Sequence, residues 1–159
     1  MQVQSCPFWA FGEKSMDGET CELCATSGGT VLWEAESCRV VRIDDPHYPG
    51  FCRVIWNRHV REMTDLSPSE REQLMNVVFA VERVVRDLFA PDKINLASLG
   101  NMTPHLHWHV IPRWRGDRHF PEPIWGKVRS ETPAVQPIVS DAALRRALLE
   151  QLPADRHED

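Results

Sequence analysis

The chain lacks any long run of apolar residues, although 42% of its 159 residues are hydrophobic. Since a membrane-spanning helix needs about 20 consecutive apolar residues, we expect no membrane span. The chain also lacks an excess of basic residues: its net charge is −5, whereas domains that bind nucleic acid broadly are usually basic. The N-terminal segment carries Glu13 and Asp17 rather than the basic and then apolar pattern of a secretory signal. These absences predict a cytoplasmic protein that binds neither membranes nor specific nucleic-acid sequences.

Cysteine is sparse and odd in number, with five residues in the chain. An odd count without a secretory signal argues against a disulfide framework. Cys21 and Cys24 form the one close pair, in a Cys-x-x-Cys arrangement. Alone, this pair is compatible with a redox centre, with two buried thiols or with two metal ligands.

Apolar alternation and turn residues divide the chain into short elements. The clearest is a long helix: Ser67-Pro68-Ser69-Glu70 combines an N-cap serine, proline at the first helical position and glutamate at the third, and Pro91 ends the helix. Its apolar stripe comprises Leu74, Val77, Val78, Val81, Val84, Val85 and Leu88. Strand patterns cover 31–33, 39–43, 51–56, 93–99 and 105–112.

These elements predict an α+β fold, with an antiparallel sheet of about five strands and the long helix packed on one face. At this length we expect a single domain over 1–159. Its core would span about 20–115, and 116–159 would form a loop-rich extension with a short helix at 141–152, in which Asp141 lies near the N-cap. Residues 1–20 have no clear period, and 155–159 are expected to be disordered. For Trp114 and Trp125 we expect core or dimer packing.

Three histidines alternate with apolar residues in the run Pro104-His105-Leu106-His107-Trp108-His109-Val110-Ile111-Pro112. In a strand, His105, His107 and His109 project to one face. Three imidazoles in a row are costly to bury without partners, so they indicate a metal, a phosphate or a catalytic task. The basic residues Arg113 and Arg115 follow the run where a metal site would be expected to have a carboxylate, which favours phosphate.

This run resembles the signature of the histidine-triad (HIT) family, His-φ-His-φ-His-φ-φ, in which φ is apolar. All three histidines and all four apolar positions match. The resemblance covers about 20–115 and is greatest to bacterial nucleotide hydrolases of the diadenosine-tetraphosphatase type. It implies a HIT-like fold, a homodimer and cleavage at the α-phosphate of an adenine nucleotide through a nucleotidyl-histidine intermediate, with no catalytic metal required.

The resemblance also implies roles for individual residues. His107 would be the nucleophile, and His109 would bind phosphoryl oxygens or the leaving group. Asn95 and Asn101 are candidate substrate contacts. The family often has Gly-Gln-Ser before the triad, whereas this chain has Gly100-Asn101-Met102. Because Met102 cannot replace the serine hydroxyl in protonating an amine, polyphosphate substrates are favoured over phosphoramidates.

Two further sets of residues are weaker candidates. Asp44 and Asp45 could hold a ribose hydroxyl or could simply shape a turn. Cys21 and Cys24 with His59 and His105 make up a complete tetrahedral set for structural zinc, as some family members have; the alternative is a free cysteine pair beside a polar histidine. Two other functions stay open: a nucleotide sensor with little turnover, and a zinc protein that uses the whole histidine row as ligands.

Overall fold

The computed structural model describes residues 21–152. The elements are, in chain order, α1 (Glu22–Ala25), β1 (Thr30–Glu34), β2 (Cys38–Arg42), β3 (Cys52–Trp56), a 3-10 turn (Met63–Asp65), α2 (Pro68–Phe89), β4 (Lys93–Ala97), β5 (His107–Arg113) and α3 (Asp141–Gln151). No helix in this part of the chain is both long and apolar enough to cross a membrane.

The five strands form one antiparallel sheet in the order β1-β2-β3-β5-β4. Between β3 and β5, Arg53 lies opposite His109 and Ile55 opposite His107. Because side chains alternate along a strand, these four residues share one face of the sheet, the face that carries α1. The helices α2 and α3 cover the other face. The predicted α+β architecture is therefore confirmed.

The long helix begins where the sequence predicts. The Ser67 hydroxyl accepts from the backbone N–H of Glu70, and the Glu70 carboxylate accepts from the N–H of Ser67 at 2.7 Å. This reciprocal pair is a capping box, which satisfies helix N–H groups that have no partner within the helix. Six of the seven predicted stripe residues are buried; at the last turn, however, Phe89 rather than Leu88 is buried in the core.

The C-terminal helix joins the same core. Leu144 and Leu148 are buried together with the valines of α2. Arg42 of β2 pairs with Asp141, with 2.5 Å between Nε and Oδ1. The N-cap of α3 is Ser140, whose hydroxyl accepts from Ala143 N–H, and Asp141 follows it as the first residue of the helix, near the N-cap as the sequence predicts. Serine is a favoured N-cap residue because its hydroxyl accepts from an N–H of the first turn.

Two strand boundaries also differ from the prediction. Strand β4 ends at Ala97 rather than Leu99, and β5 begins at His107 rather than His105. His105 lies in a turn, where its N–H donates to the Thr103 carbonyl at 2.8 Å. The predictions for residues 1–20 and 155–159 lie outside the described part of the chain.

Candidate active site and metal centre

His107 and His109 lie side by side at one end of a cavity of about 410 Å³. Their ring centroids are 4.7 Å apart and the rings meet edge to face. Both residues are on β5, which is paired on each side, by β3 and by β4. The other described residues that line the cavity are Leu23, Arg53, Leu99, Asn101, Met102, Thr103 and Trp125. The cavity is large enough for a small ligand, since ligand pockets begin at about 300 Å³.

The ring of His107 is held by its own chain. Its Nδ1 lies 2.6 Å from the backbone carbonyl oxygen of His105, so Nδ1 carries the proton and Nε2 keeps a lone pair. The backbone carbonyl of His107 in turn accepts from the Ser98 hydroxyl at 2.9 Å. Burial lowers the pKa of His107, and the nearby Arg53 charge adds to this, against the effect of the bond to His105. A neutral ring with a free Nε2 is a nucleophile.

His109 is the most strongly perturbed group in the cavity. Burial, with the charges of His107 and Arg53, lowers its pKa to about 3. Its Nδ1 is buried and has no hydrogen-bond partner among the described residues. The half-exposed indole of Trp125 packs edge-on against the ring, with 5.0 Å between centroids. His109 is therefore a neutral imidazole whose hydrogen-bonding capacity the fold leaves partly unused.

A second cluster lies next to the first. Ligand atoms of Cys21, Cys24, His59 and His105 all lie within 4.8 Å of one another. Nδ1 of His105 is 3.4 Å from Sγ of Cys21, 3.5 Å from Sγ of Cys24 and 3.3 Å from Nδ1 of His59. With Zn–N of about 2.0–2.1 Å and Zn–S of about 2.3 Å, a tetrahedral site has ligand–ligand edges of about 3.3–3.8 Å. The four residues could therefore hold a metal ion.

The tautomer of His105 also fits a ligand. Its Nε2 donates to the Trp56 carbonyl at 2.6 Å, which leaves the lone pair of Nδ1 facing the cysteines. A histidine ligand is commonly oriented by such a bond from its other nitrogen. Burial lowers the pKa of His105, which keeps the ring neutral. Burial and the neighbouring Cys21 raise the pKa of the Cys24 thiol, so a cation would be needed to hold the thiolate form.

Comparison with known proteins agrees with this geometry. The family model described as "HIT domain" matches residues 26–116, which is more than half of the chain. The chain belongs to the HIT family. Among solved structures, a histidine triad protein from Marinobacter aquaeolei VT8 is 30% identical over 84% of this chain and 94% of its own, with a TM-score of 0.64. One from Bradyrhizobium japonicum is 28% identical over 77% and 92%, also with a TM-score of 0.64.

Curated relatives match a smaller part of this HIT protein. An AP-4-A phosphorylase of Mycobacterium tuberculosis is 35% identical over 81 residues, which is 47% of this chain and 42% of the relative. The asymmetrical bis(5'-nucleosyl)-tetraphosphatase of Schizosaccharomyces pombe is 35% identical over 77 residues, 45% of this chain and 42% of the relative. The matched segment thus spans less than half the length of either relative.

The other candidate residues of the HIT protein are dispersed. Asn101 lines the cavity with His107 and His109. Asn95 does not; its side-chain oxygen accepts from Arg113 at 2.7 Å. Asp44 is exposed beside Arg42, and Asp45 accepts from the N–H of His47 at 2.8 Å in a turn. Both aspartates line a separate cavity near α3, which shares no lining residue with the histidine cavity.

The structure adds two residues that sequence reasoning did not place at the site of this HIT protein. Arg53 lines the cavity, and the signal for it was a charged residue in the middle of an otherwise apolar strand. Trp125 also lines it and is 53% exposed in the single chain, so it does not pack in the core, whereas Trp114 is buried. Dimer packing, the other role expected for Trp125, stays a prediction. Nothing in the local sequence around Trp125 indicated that it approaches His109.

A buried ion pair lies in the loop that leads to Trp125. Arg113, which follows the histidine motif, binds Asp117 through two bonds, of 2.7 Å from Nε and 3.1 Å from Nη2. Asp117 also accepts from the N–H groups of Trp114, His119 and Phe120. Although burial alone would raise it, the pKa of Asp117 is lowered by Arg113 and these donors. This network fixes the loop that precedes Trp125.

Proposed function

We propose that this protein cleaves nucleoside polyphosphates or dinucleoside polyphosphates at an α-phosphate through a nucleotidyl-His107 intermediate. The observation that carries the proposal is the 2.6 Å contact between Nδ1 of His107 and the His105 carbonyl oxygen. It leaves Nε2 of His107 unprotonated beside a cavity that also contains His109 and Asn101.

The proposed reaction consists of two successive displacements at the α-phosphorus. The Nε2 lone pair of His107 forms a bond to the α-phosphorus, and the bridging P–O bond breaks with its electron pair leaving on the outgoing phosphate. The His107 ring becomes cationic, which strengthens its Nδ1–H bond to the His105 carbonyl. His109 binds the phosphoryl oxygens or the leaving oxygen. In the second displacement, a water oxygen forms a bond to phosphorus, and the P–Nε2 bond breaks with its electron pair returning to Nε2 of His107. The proton lost by the water passes to solvent, and His107 is again neutral.

The relatives support the substrate class. Their names refer to an AP-4-A phosphorylase and to an asymmetrical tetraphosphatase, both enzymes of dinucleoside tetraphosphates. The two names differ in the acceptor, which is phosphate for a phosphorylase and water for a hydrolase. For this chain we favour water and an adenine nucleotide.

The metal cluster would hold zinc in a structural role. Cys21, Cys24, His59 and His105 match the Cys₂His₂ donor set, which supplies four ligands and leaves no position open for substrate. Bound zinc would contribute to folding free energy. Because the His105 ring is a ligand and its carbonyl binds His107, the site would also fix the nucleophile's position.

The two alternative functions have less support. A zinc protein that uses the whole histidine row would need His107 and His109 near metal ligands, yet the cluster within residues 21–152 includes only the first histidine. A nucleotide sensor with little turnover would not need a free Nε2 on His107. It is separated from an enzyme by measuring turnover.

The chain would act as a homodimer through β4. Within the described residues, β4 pairs only with β5 and leaves its outer edge open. The opposite edge, β1, is approached by α3, whose Arg145 donates to the Val31 carbonyl at 2.9 Å. An open edge strand is a ready template for pairing with a second chain. Sedimentation analysis should give twice the chain mass.

A trapping experiment tests the covalent mechanism. Protein is mixed with diadenosine tetraphosphate labelled at the α-phosphate and quenched in alkali, since phosphohistidine is acid-labile. We expect AMP as product and label on His107 in a single turnover, and ADP in place of AMP only if added phosphate is the acceptor. Turnover without any labelled protein would indicate direct attack by water and overturn the proposal.

A further inference from the structure

Arg53 is half-buried and, unlike the buried arginines of the sheet, has no hydrogen-bond partner among residues 21–152. Arg39 donates to the carbonyls of Leu23, Thr26 and Ser27 and to Asn57. Arg113 binds Asp117, Asn95 and the Glu122 carbonyl. For Arg53, by contrast, no hydrogen bond or ion pair occurs with any residue of 21–152, and its Nε is buried without a partner; the charge of Glu22 acts on it without an ion-pair contact. The fold therefore leaves the hydrogen-bond donors of this guanidinium unused.

The position of Arg53 directs that unused group toward the reacting histidines. It lies opposite His109 in the β3–β5 register and on the same face as His107. After burial, its charge is a further cause that lowers the pKa of both histidines. Among the described residues that line the cavity, Arg53 is the sole fixed cation and none is acidic.

Burial lowers the pKa of Arg53, and the charge of Glu22 opposes this shift only in part. The half-buried cation therefore has a desolvation cost that no ion pair within residues 21–152 offsets. An anion that enters the cavity would offset it. Guanidinium presents several N–H donors in a planar fork that matches phosphate. Apart from the two histidines and the indole of Trp125, the other side-chain donors among the described lining residues are the neutral amide of Asn101 and the hydroxyl of Thr103, so Arg53 is the one charged donor available to phosphate.

We propose that Arg53 binds phosphoryl oxygens of the substrate and stabilises the negative charge that they carry while Nε2 of His107 displaces the leaving phosphate. This inference rests on the proposed function for its chemical step, although anion binding at Arg53 does not. It makes Arg53 a catalytic residue and assigns the cavity to substrates with more than one anionic phosphate.

Three variants test the role of Arg53. Arg53→Gln removes the charge and keeps a donor, and Arg53→Lys keeps the charge without the fork. Arg58→Gln is the matched control: it also removes one positive charge, just beyond the same strand, where Arg58 is exposed and pairs with Glu70. Each is assayed for binding of AMP, adenosine and inorganic pyrophosphate, for diadenosine tetraphosphate turnover and for thermal unfolding.

We expect Arg53→Gln to weaken binding of AMP and pyrophosphate about 10- to 100-fold, to leave adenosine binding unchanged and to lower kcat. Arg53→Lys should recover part of both losses, and Arg58→Gln should behave as wild type. The unfolding midpoint of Arg53→Gln should stay the same or rise, because a half-buried charge without an ion-pair partner in residues 21–152 has been removed. A purely structural arginine would lower it.

The outcomes separate the two proposals. If wild type forms AMP and Arg53→Gln matches it in binding and rate, Arg53 has no such role and the proposed function stands. If wild type shows no turnover but Arg53→Gln loses anion binding, the anion site stands and the proposed function fails. If Arg53→Gln lowers stability and binding of adenosine and AMP equally, Arg53 is structural and the inference is wrong.

Discussion

His105 contacts both sites of the protein with different atoms. Its backbone carbonyl oxygen lies 2.6 Å from Nδ1 of His107, and its ring nitrogen Nδ1 lies 3.4 Å from Sγ of Cys21. The proposed nucleophile and the proposed metal cluster therefore share one residue. A shift of the His105 backbone would therefore alter both the ring position in the cluster and the carbonyl that fixes the His107 tautomer.

Replacement of the nucleophile should remove turnover. We expect His107→Asn to lower kcat by about 10³-fold or more while nucleotide affinity changes little, because the lost group acts in the chemical step. Steady-state kinetics and equilibrium binding of AMP measure the two effects. A His107→Asn protein with wild-type kcat would exclude the covalent mechanism.

Zinc should be present at about one ion per chain in reduced, purified protein. Cys21→Ser should lower the zinc content and the unfolding midpoint together, and activity should fall less than in His107→Asn because the metal only positions the strand. Elemental analysis and thermal unfolding are the measurements.

Cys52→Ser is a control for thiol loss, since Cys52 is buried in β3 and is not part of the cluster. The zinc content of this variant should be unchanged. Absence of zinc from wild type would contradict the site.

Acid should destabilise the fold partly through His109. Its pKa is about 3 in the folded protein and about 6.5 when unfolded, so between these values the unfolded chain binds more protons. The contribution of His109 to the free energy of unfolding is fully present above about pH 6.5. It decreases as the pH falls, by at most about 1.4 kcal/mol per pH unit. Denaturant unfolding from pH 7 to 4.5 should show a shallower loss for His109→Asn than for wild type. Equal slopes would refute this assignment.

Replacement of Asp117 should lower the free energy of unfolding and disturb the position of Trp125. Asp117→Asn leaves the fully buried Arg113 without its counter-charge, and breaking a buried pair in this way costs about 3–5 kcal/mol. Glu131→Gln is the control, because Glu131 pairs with Arg118 at the surface and such pairs contribute about 0–1 kcal/mol. Denaturant unfolding measures both. Similar stability for the two variants would show that the network does not hold the loop.

Local sequence patterns were sufficient to predict much of the fold. The capping box at Ser67 and the valine stripe of α2 act within one or two helical turns, so the sequence contains the whole signal. The alternation of His107 and His109 likewise predicts a shared face. His105 does not follow this alternation, because it lies in a turn in which its N–H donates to the Thr103 carbonyl. Its ring contacts the two cysteines, which are 81 to 84 residues away in the sequence, so no local pattern indicated this position.

The less predictable parts depend on contacts distant in the sequence. Arg53 lies opposite His109 through the β3–β5 register. Trp125 contacts His109 after a loop whose first part is joined by Arg113 and Asp117. Neither contact has a local signature. Asp44 and Asp45 follow β2 as a ribose-binding pair might, but the turn at 44–50 directs them to another cavity.

The edge-on contact between Trp125 and His109 gives the cavity an intrinsic optical probe. An indole that is 53% exposed emits at longer wavelength than one enclosed in the core, so Trp125 can be distinguished from the buried tryptophans of the sheet. A ligand that enters between the histidines and this indole changes its contact with water and its quenching. Fluorescence titration of wild type against Trp125→Phe can therefore follow occupancy of the cavity directly, without a label and independently of turnover.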